Sequence, residues 1–186
     1  MKKEIINFPH WLQGKFIILV GLMGAGKTKL GRIVSSTLDL PFIDTDSEIE
    51  KAAGYTIQEI FDEYGEKYFR EGEGRVINRI LSEKPAVVAT GGGSYMNAEI
   101  RNEMNKNGIV IWLRADLDLL VKRTQNRTGR PLLNTGDTKT ILSQLIEERY
   151  PVYAGAELIV DVKDEPAAKT ANRIIELLIN HKPKEI

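Results

Sequence analysis

Short apolar runs alternate along the chain with stretches whose apolar residues recur at helical spacing. Residues 16–20 (Phe-Ile-Ile-Leu-Val) form the first apolar run, and runs over 40–43, 85–89, 109–113 and 158–162 follow. Runs this short and this apolar predict strands covered on both faces, as in a parallel sheet. Helical patterns fill the intervals: a helix starting near Lys27 and running to 38, then about 46–53, 56–83 with breaks, 96–107, 116–125, 138–150 and 166–180. Strand–helix alternation predicts an open α/β sheet with right-handed crossovers, whose ligands gather at the carboxyl ends of the strands. The polar stretch at 125–136, punctuated by Gly129, Pro131 and Gly136, interrupts two helices and reads as a mobile loop. Residues 1–15 read as a loose extension and 182–186 as a frayed tail, and no internal repeat is present.

Composition narrows the classes that this pattern allows. At 186 residues the chain suits one domain with a sizeable core. Lys+Arg and Asp+Glu are equal at 26 each, so the net charge of zero gives no support to a broad nucleic-acid surface. The absence of cysteine excludes disulfides, thiolate metal sites and a cysteine nucleophile together. Neither a signal peptide nor a membrane-length apolar run is seen, so a soluble, cytoplasmic enzyme is expected. The two histidines, His10 and His181, lie in the terminal segments and are read as solvated or packed.

The strongest chemical signal follows the first apolar run. Gly21-Leu22-Met23-Gly24-Ala25-Gly26-Lys27-Thr28 is the phosphate-binding pattern G-x-x-x-x-G-K-[ST], placed between a strand and a helix as that motif requires. Glycine there lets backbone N–H groups curl around phosphate oxygens, and the helix dipole adds to the attraction. Lys27 is placed to reach the outer phosphates and the Thr28 hydroxyl to ligate Mg²⁺. Gly21, Gly24, Ala25, Gly26, Lys27, Thr28 and Lys29 are therefore the triphosphate-binding candidates.

Four further patterns sit beside predicted strand ends or loops. Asp44-Thr45-Asp46 offers two carboxylates, one for a metal and one for a substrate hydroxyl; alternatively Asp44 or Thr45 caps the next helix. Thr90-Gly91-Gly92-Gly93 leaves main-chain N–H groups open to a close ligand. Arg70 presents a planar fork suited to a carboxylate, although a solvated helix arginine is the commoner case. Arg123, Arg127, Arg130 and Arg149 lie in and around the mobile loop, where a closing arginine stabilises a transferring phosphoryl group.

Taken in order, these segments resemble the shikimate kinases, within the nucleoside monophosphate kinase-like group of phosphate-loop enzymes. The likeness runs from about 16 to about 166. It is carried by the loop at 21–28, by Phe42-Ile43-Asp44-Thr45-Asp46-Ser47-Glu48-Ile49-Glu50, by Gly54-Tyr55-Thr56-Ile57 with Ile60-Phe61, by Gly65-Glu66 with Phe69-Arg70, by Thr90-Gly91-Gly92-Gly93 and by Arg130-Pro131-Leu132-Leu133. The resemblance implies a three-layer α/β/α P-loop kinase fold with a five-stranded parallel sheet in order 2-3-1-4-5. It implies a single domain over 1–186, with a substrate-binding region at about 45–75 and a lid at about 124–137. The implied activity is transfer of the γ-phosphoryl group of ATP to the 3-hydroxyl of shikimate, with Mg²⁺, in the route to aromatic amino acids.

By the same resemblance, Asp46 holds the shikimate hydroxyls and accepts the attacking proton, while Asp44 positions Mg²⁺ with Thr28. Arg70 and Arg149 pair on the shikimate carboxylate, with Glu73 orienting Arg70. Gly91, Gly92 and Gly93 line the substrate, and Phe61 and Phe69 wall its pocket. Arg123 stacks on adenine, and Arg130 joins Lys27 and Asp46 as the catalytic set. ATP and shikimate are the expected partners of a monomer that binds neither nucleic acid nor membrane. Gly72 and Gly74 depart from a good helix, so local kinking or a looser substrate helix is expected beside Arg70. Two competing expectations are a related small-molecule kinase such as gluconate kinase, and a nucleotide-binding regulatory module without catalysis.

Overall fold

The computed structural model describes residues 12–125 and 137–181. Five strands form one all-parallel sheet in the order β2-β3-β1-β4-β5: β1 Phe16–Val20, β2 Phe42–Asp44, β3 Val87–Ala89, β4 Gly108–Arg114 and β5 Leu158–Asp161. The apolar runs predict these positions because the central strands are buried on both faces: every residue of β1 and β3 is buried, as is all of β4 up to Arg114. Register is continuous across the middle, with Ile18 opposite Val88 on one side and Val110 on the other. Helices cover both faces, which gives the expected three layers. α1 (Lys27–Leu38) packs against α7 (Ala167–Asn180), and α3 (Ile57–Leu81) packs against α4 (Ala98–Asn107). α2 (Thr45–Ala53) lies on α3, and α5 (Leu117–Thr124) on α6 (Thr138–Tyr153).

Helix starts follow local chemistry. Asp44 caps α2 by accepting from the Asp46 N–H, and Thr56 with Glu59 forms a complete capping box on α3. Asn97, Asp116 and Asp137 cap α4, α5 and α6 in the same way. α1 has no side-chain cap; it begins at Gly26, held at φ 94°, so its first N–H groups are left for a ligand.

The break in α3 is not where the glycine pair predicted it. Gly72 and Gly74 remain helical, and the single non-helical residue is Gly65, at φ 80° and ψ 170°. Buried Phe69, Val76, Ile77 and Ile80 hold the second half of α3 onto the body, and that packing outweighs roughly 1 kcal/mol of lost propensity per glycine. Gly65 takes a conformation that other residues scarcely enter. The kink therefore separates the segment carrying Phe61 from the segment carrying Phe69, Arg70 and Glu73.

Candidate active site

One cleft of about 980 Å³ lies along the carboxyl ends of β1, β2 and β3, a size suited to small-molecule ligands. Its floor at one end is the phosphate loop. Gly21, Gly24 and Gly26 all have positive φ, which curls the backbone of the loop back on itself, while Ala25 is fully buried beneath it. Lys27 Nζ donates to Gly21 O at 2.7 Å and Leu22 O at 3.1 Å, so its ammonium is folded across the loop mouth. Thr28 Oγ1–H donates to Asp44 Oδ2 at 2.8 Å. That bond consumes the hydroxyl proton and leaves the oxygen lone pairs directed elsewhere. Asp44 thus caps α2 through Oδ1, as one reading of the sequence has it, and also faces Thr28 through Oδ2.

Lys29 and Arg123 line the same end of the cleft. Arg123 reaches back over the loop, with Nη1 3.4 Å from Gly24 O and Nη2 donating to Lys163 O at 3.1 Å. Arg127 and Arg130, and most of the expected lid, lie outside the described residues.

The other end of the cleft is lined by Asp46, Arg70, Glu73, Arg149 and the glycine turn. Asp46, the second residue of α2, is half-buried, and its carboxyl is pushed up to about 6. Burial is the main cause, reinforced by the Asp44, Glu73 and Glu50 charges and opposed by Lys27. Arg70 points toward the glycine turn: a Cβ built on Gly93 would lie 2.5–2.7 Å from the guanidinium atoms. Burial works against the Arg70 charge, but Glu73 and Glu66 outweigh it and hold the group above its ordinary value. Glu73, only 1% exposed, accepts from Arg70 Nη1 at 2.8 Å and from the Ser94 hydroxyl at 2.6 Å. The same Ser94 hydroxyl is 3.1 Å from Gly91 O, which ties the glycine turn to α3.

The turn itself is pinned from three sides. Gly91 N–H donates to Thr45 Oγ1 at 3.0 Å, Thr90 Oγ1–H to Leu19 O at 3.0 Å, and the Tyr153 hydroxyl to Gly92 O. Burial pushes the Tyr153 phenol up to about 12 against the lowering influence of Arg149, so it stays a neutral donor. A side chain at Gly91 would strike Glu73 Oε1 at 2.8 Å and Asp46 Oδ1 at 2.9 Å, which shows both carboxylates converging on this point. Arg149, buried on α6, stands beside Gly92. Phe61 and Phe69 pack across the kink with ring centroids 4.7 Å apart and form the apolar wall.

Every described residue singled out as a site candidate borders this cleft, apart from Gly21 and the buried Ala25, which hold the loop's shape. Ser94 and Tyr153 are additional anchors that the sequence reading passed over, and Thr45, read there only as a helix-cap candidate, holds the glycine turn while Asp44 is the cap. Only their long-range partners mark them out, and a single hydroxyl carries no pattern of its own.

The division of the cleft defines the class. A loop built for phosphate faces, across one cavity, groups built for a small hydroxylated acid, which is the layout of a P-loop phosphotransferase acting on a small molecule. Comparison with known proteins makes this specific. The family model described as shikimate kinase matches residues 23–179. Shikimate kinase of Brucella canis is 49% identical over 185 residues, covering 100% of this chain and 92% of the relative. That of Paramagnetospirillum magneticum is 48% identical over 184 residues, covering 97% and 94%. The solved shikimate kinase of Acinetobacter baumannii in complex with shikimate superimposes with a TM-score of 0.89 at 36% identity, over 94% of this chain and 98% of that one. The chain belongs to the shikimate kinase family.

Proposed function

We propose that the chain transfers the γ-phosphoryl group of ATP to the 3-hydroxyl of shikimate, yielding shikimate 3-phosphate for aromatic amino-acid synthesis. The observation that carries the reading is the single cleft in which Lys27 and Thr28 face Asp46, Arg70 and Arg149. Shikimate is a small polyol acid, so it needs a carboxylate clamp, hydroxyl acceptors and little apolar surface. Arg70 and Arg149 supply the clamp, Asp46 the acceptor, and Phe61 and Phe69 the wall. Gly91, Gly92 and Gly93 let the substrate lie against the main chain.

In the reaction, the shikimate oxygen attacks the γ-phosphorus, the bond to the ADP oxygen breaks, and the hydroxyl proton passes to Asp46. A carboxyl titrating near 6 is ionised at neutral pH yet basic enough to take that proton. Lys27 leaves its carbonyl partners for the phosphate oxygens and balances the charge that spreads over them. Arg130 is assigned to the same charge, and Arg123 to the adenine face, on the family resemblance. Thr28 and Asp44, adjacent oxygen donors beside the phosphate loop, fit Mg²⁺ and would hold it there. When bound, that ion neutralises phosphate charge.

We place the enzyme in the cytoplasm as one catalytic domain acting as a monomer on ATP and shikimate, without nucleic-acid or membrane partners. The balanced charge supports this, and among the described residues no helix is long and apolar enough to cross a membrane. Coupled ADP release with shikimate, against gluconate, quinate and nucleoside monophosphates, tests the substrate. Turnover confined to shikimate is expected, and no shikimate-dependent ADP would overturn the reading. Gluconate turnover would favour the related small-molecule kinase; ATP binding without any shikimate response would favour the regulatory module.

A further inference from the structure

Arg70 is the residue that the substrate acid must meet, yet its fork already holds a carboxylate from the protein. Glu66 Oε1 accepts from Arg70 Nε at 3.2 Å and from Nη2 at 3.0 Å, taking both donors of one edge. Glu73 Oε2 holds Nη1 of the other edge at 2.8 Å. A guanidinium has two edges that can grip a carboxylate with paired N–H bonds. Three of the five N–H donors are thus taken, and a third carboxylate gains the Nε–Nη2 edge only by replacing Glu66.

The two glutamates differ in how readily they yield. Glu73 is 1% exposed, receives the Ser94 hydroxyl, and would be left as an uncompensated buried charge if Arg70 turned away. The Glu66 side chain is 57% exposed, so water takes over its solvation when it leaves. It also directly follows Gly65, at the start of the second segment of α3, where few helical constraints hold it. Positions 66, 70 and 73 share one helix face, so the arrangement is built into the spacing Glu-x-x-x-Arg-x-x-Glu.

We infer that Glu66 is a stand-in for the substrate carboxylate: it keeps the Arg70 charge paired and its fork aimed into the cleft until shikimate's own carboxylate displaces it. This rests on the shikimate reading above. Glu66 touches neither reacting atom, so it is a positioning residue with a specificity role. A ligand that brings a carboxylate exchanges one ion pair for another, whereas a neutral ligand leaves Glu66 in place and gains nothing from Arg70. The internal competitor also weakens the binding of the true substrate by the strength of an exposed ion pair.

The test compares wild type with Glu66→Gln, which keeps the shape and removes the charge. Shikimate KM is measured at saturating ATP, and shikimate methyl ester is measured as a competitive ligand through its Ki. An exposed ion pair predicts that Glu66→Gln lowers the shikimate KM about two- to fivefold, with kcat and the ATP KM unchanged and the ester Ki no lower. An unchanged or higher shikimate KM overturns the inference, because Glu66 would then be supporting Arg70 without competing for it. An equal drop for acid and ester also overturns it, since loosening of the pocket would explain both. Wild-type turnover of shikimate in the same assay separates the two levels. If it is present, a failed KM shift removes only the role of Glu66. If it is absent, the proposed substrate falls and takes the inference with it.

Discussion

Replacing Asp46 by asparagine should make the protein more stable and much less active at once. Its carboxyl titrates at about 6 in the fold against an ordinary 3.8, chiefly because it is buried and secondarily because Asp44 adds like charge. A folded value raised above the unfolded one means that the unfolded chain releases this proton first, so ionisation opposes folding. The penalty is absent below the unfolded value, grows as pH rises through the window from 3.8 to about 6, and is complete above it. Two pKa units at about 1.4 kcal/mol each put the full penalty near 3 kcal/mol. Asparagine never ionises, so Asp46→Asn should gain about 3 kcal/mol near pH 8 and only about 1 kcal/mol near pH 4.5. For a domain of this size that is a Tm higher by about 6–12 °C at the upper pH.

Urea unfolding of the ligand-free proteins at both pH values measures the gap, and coupled ADP release measures the loss of turnover. Removing the proton acceptor should lower kcat by about 10²- to 10⁴-fold with nucleotide binding intact. The wild-type kcat/KM should fall on the acid side with a midpoint near 6, the value for the free enzyme. A stability gap equal at the two pH values would refute the claim that burial of the Asp46 charge is the source of strain. Wild-type-like turnover of the variant would remove Asp46 from the proton's path.

Three other substitutions probe separate parts of the site. Gly93→Ala puts a methyl group 2.5–2.7 Å from the Arg70 guanidinium, which can swing out; the shikimate KM should rise about 10- to 100-fold, the worth of charged hydrogen bonds, with little change in ATP KM or in urea midpoint. Lys27→Met should lower kcat by about 10²-fold or more in the ADP-release assay, as loss of a preorganised charge on the transferring group does, and unchanged activity would take the lysine out of the mechanism. Gly65→Ala has open space for its methyl but the wrong backbone, so about 1–3 kcal/mol of stability should be lost in urea unfolding; an undisturbed midpoint would mean that the kink is not fixed at this residue.

The parts of this site that were readable in the chain are those built from neighbours in sequence. The phosphate loop is eight consecutive residues, and its placement after Phe16–Val20 follows from the apolar run before it. Sheet strands were readable because burial on both faces erases the usual alternation. Asp44 and Asp46 were legible as a pair, and so was the cap that Asp44 forms with one oxygen while the other faces Thr28. The helix kink was mislocated because composition says which residues tolerate a left-handed backbone, whereas packing decides which of them must adopt it. A Cβ on Gly74 would lie 3.4 Å from Ile100, which marks a packing position, while one on Gly65 would meet nothing, and there the chain bends.

What sequence periodicity could not show is the acceptor half of the cleft, for a physical reason. A helix that faces a core presents an apolar stripe, and α3 does not: it turns Arg70 and Glu73 inward between Phe69 and Val76. Judged by pattern alone, a glutamate at position 73 belongs on a solvated face, and an isolated charge buried there would be strongly destabilising. It is tolerated because two partners converge on it, Arg70 from its own helix and Ser94 from the turn after β3. The Ser94 contact spans 21 residues and has no local signature. Yet it joins the glycine turn to the arginine, so the surface proposed for the substrate's ring and the fork proposed for its carboxylate are tied together. Cutting that link with Ser94→Ala should therefore weaken shikimate binding without touching the phosphate loop, and an equal loss of ATP affinity would show that the two halves of the cleft are not independent.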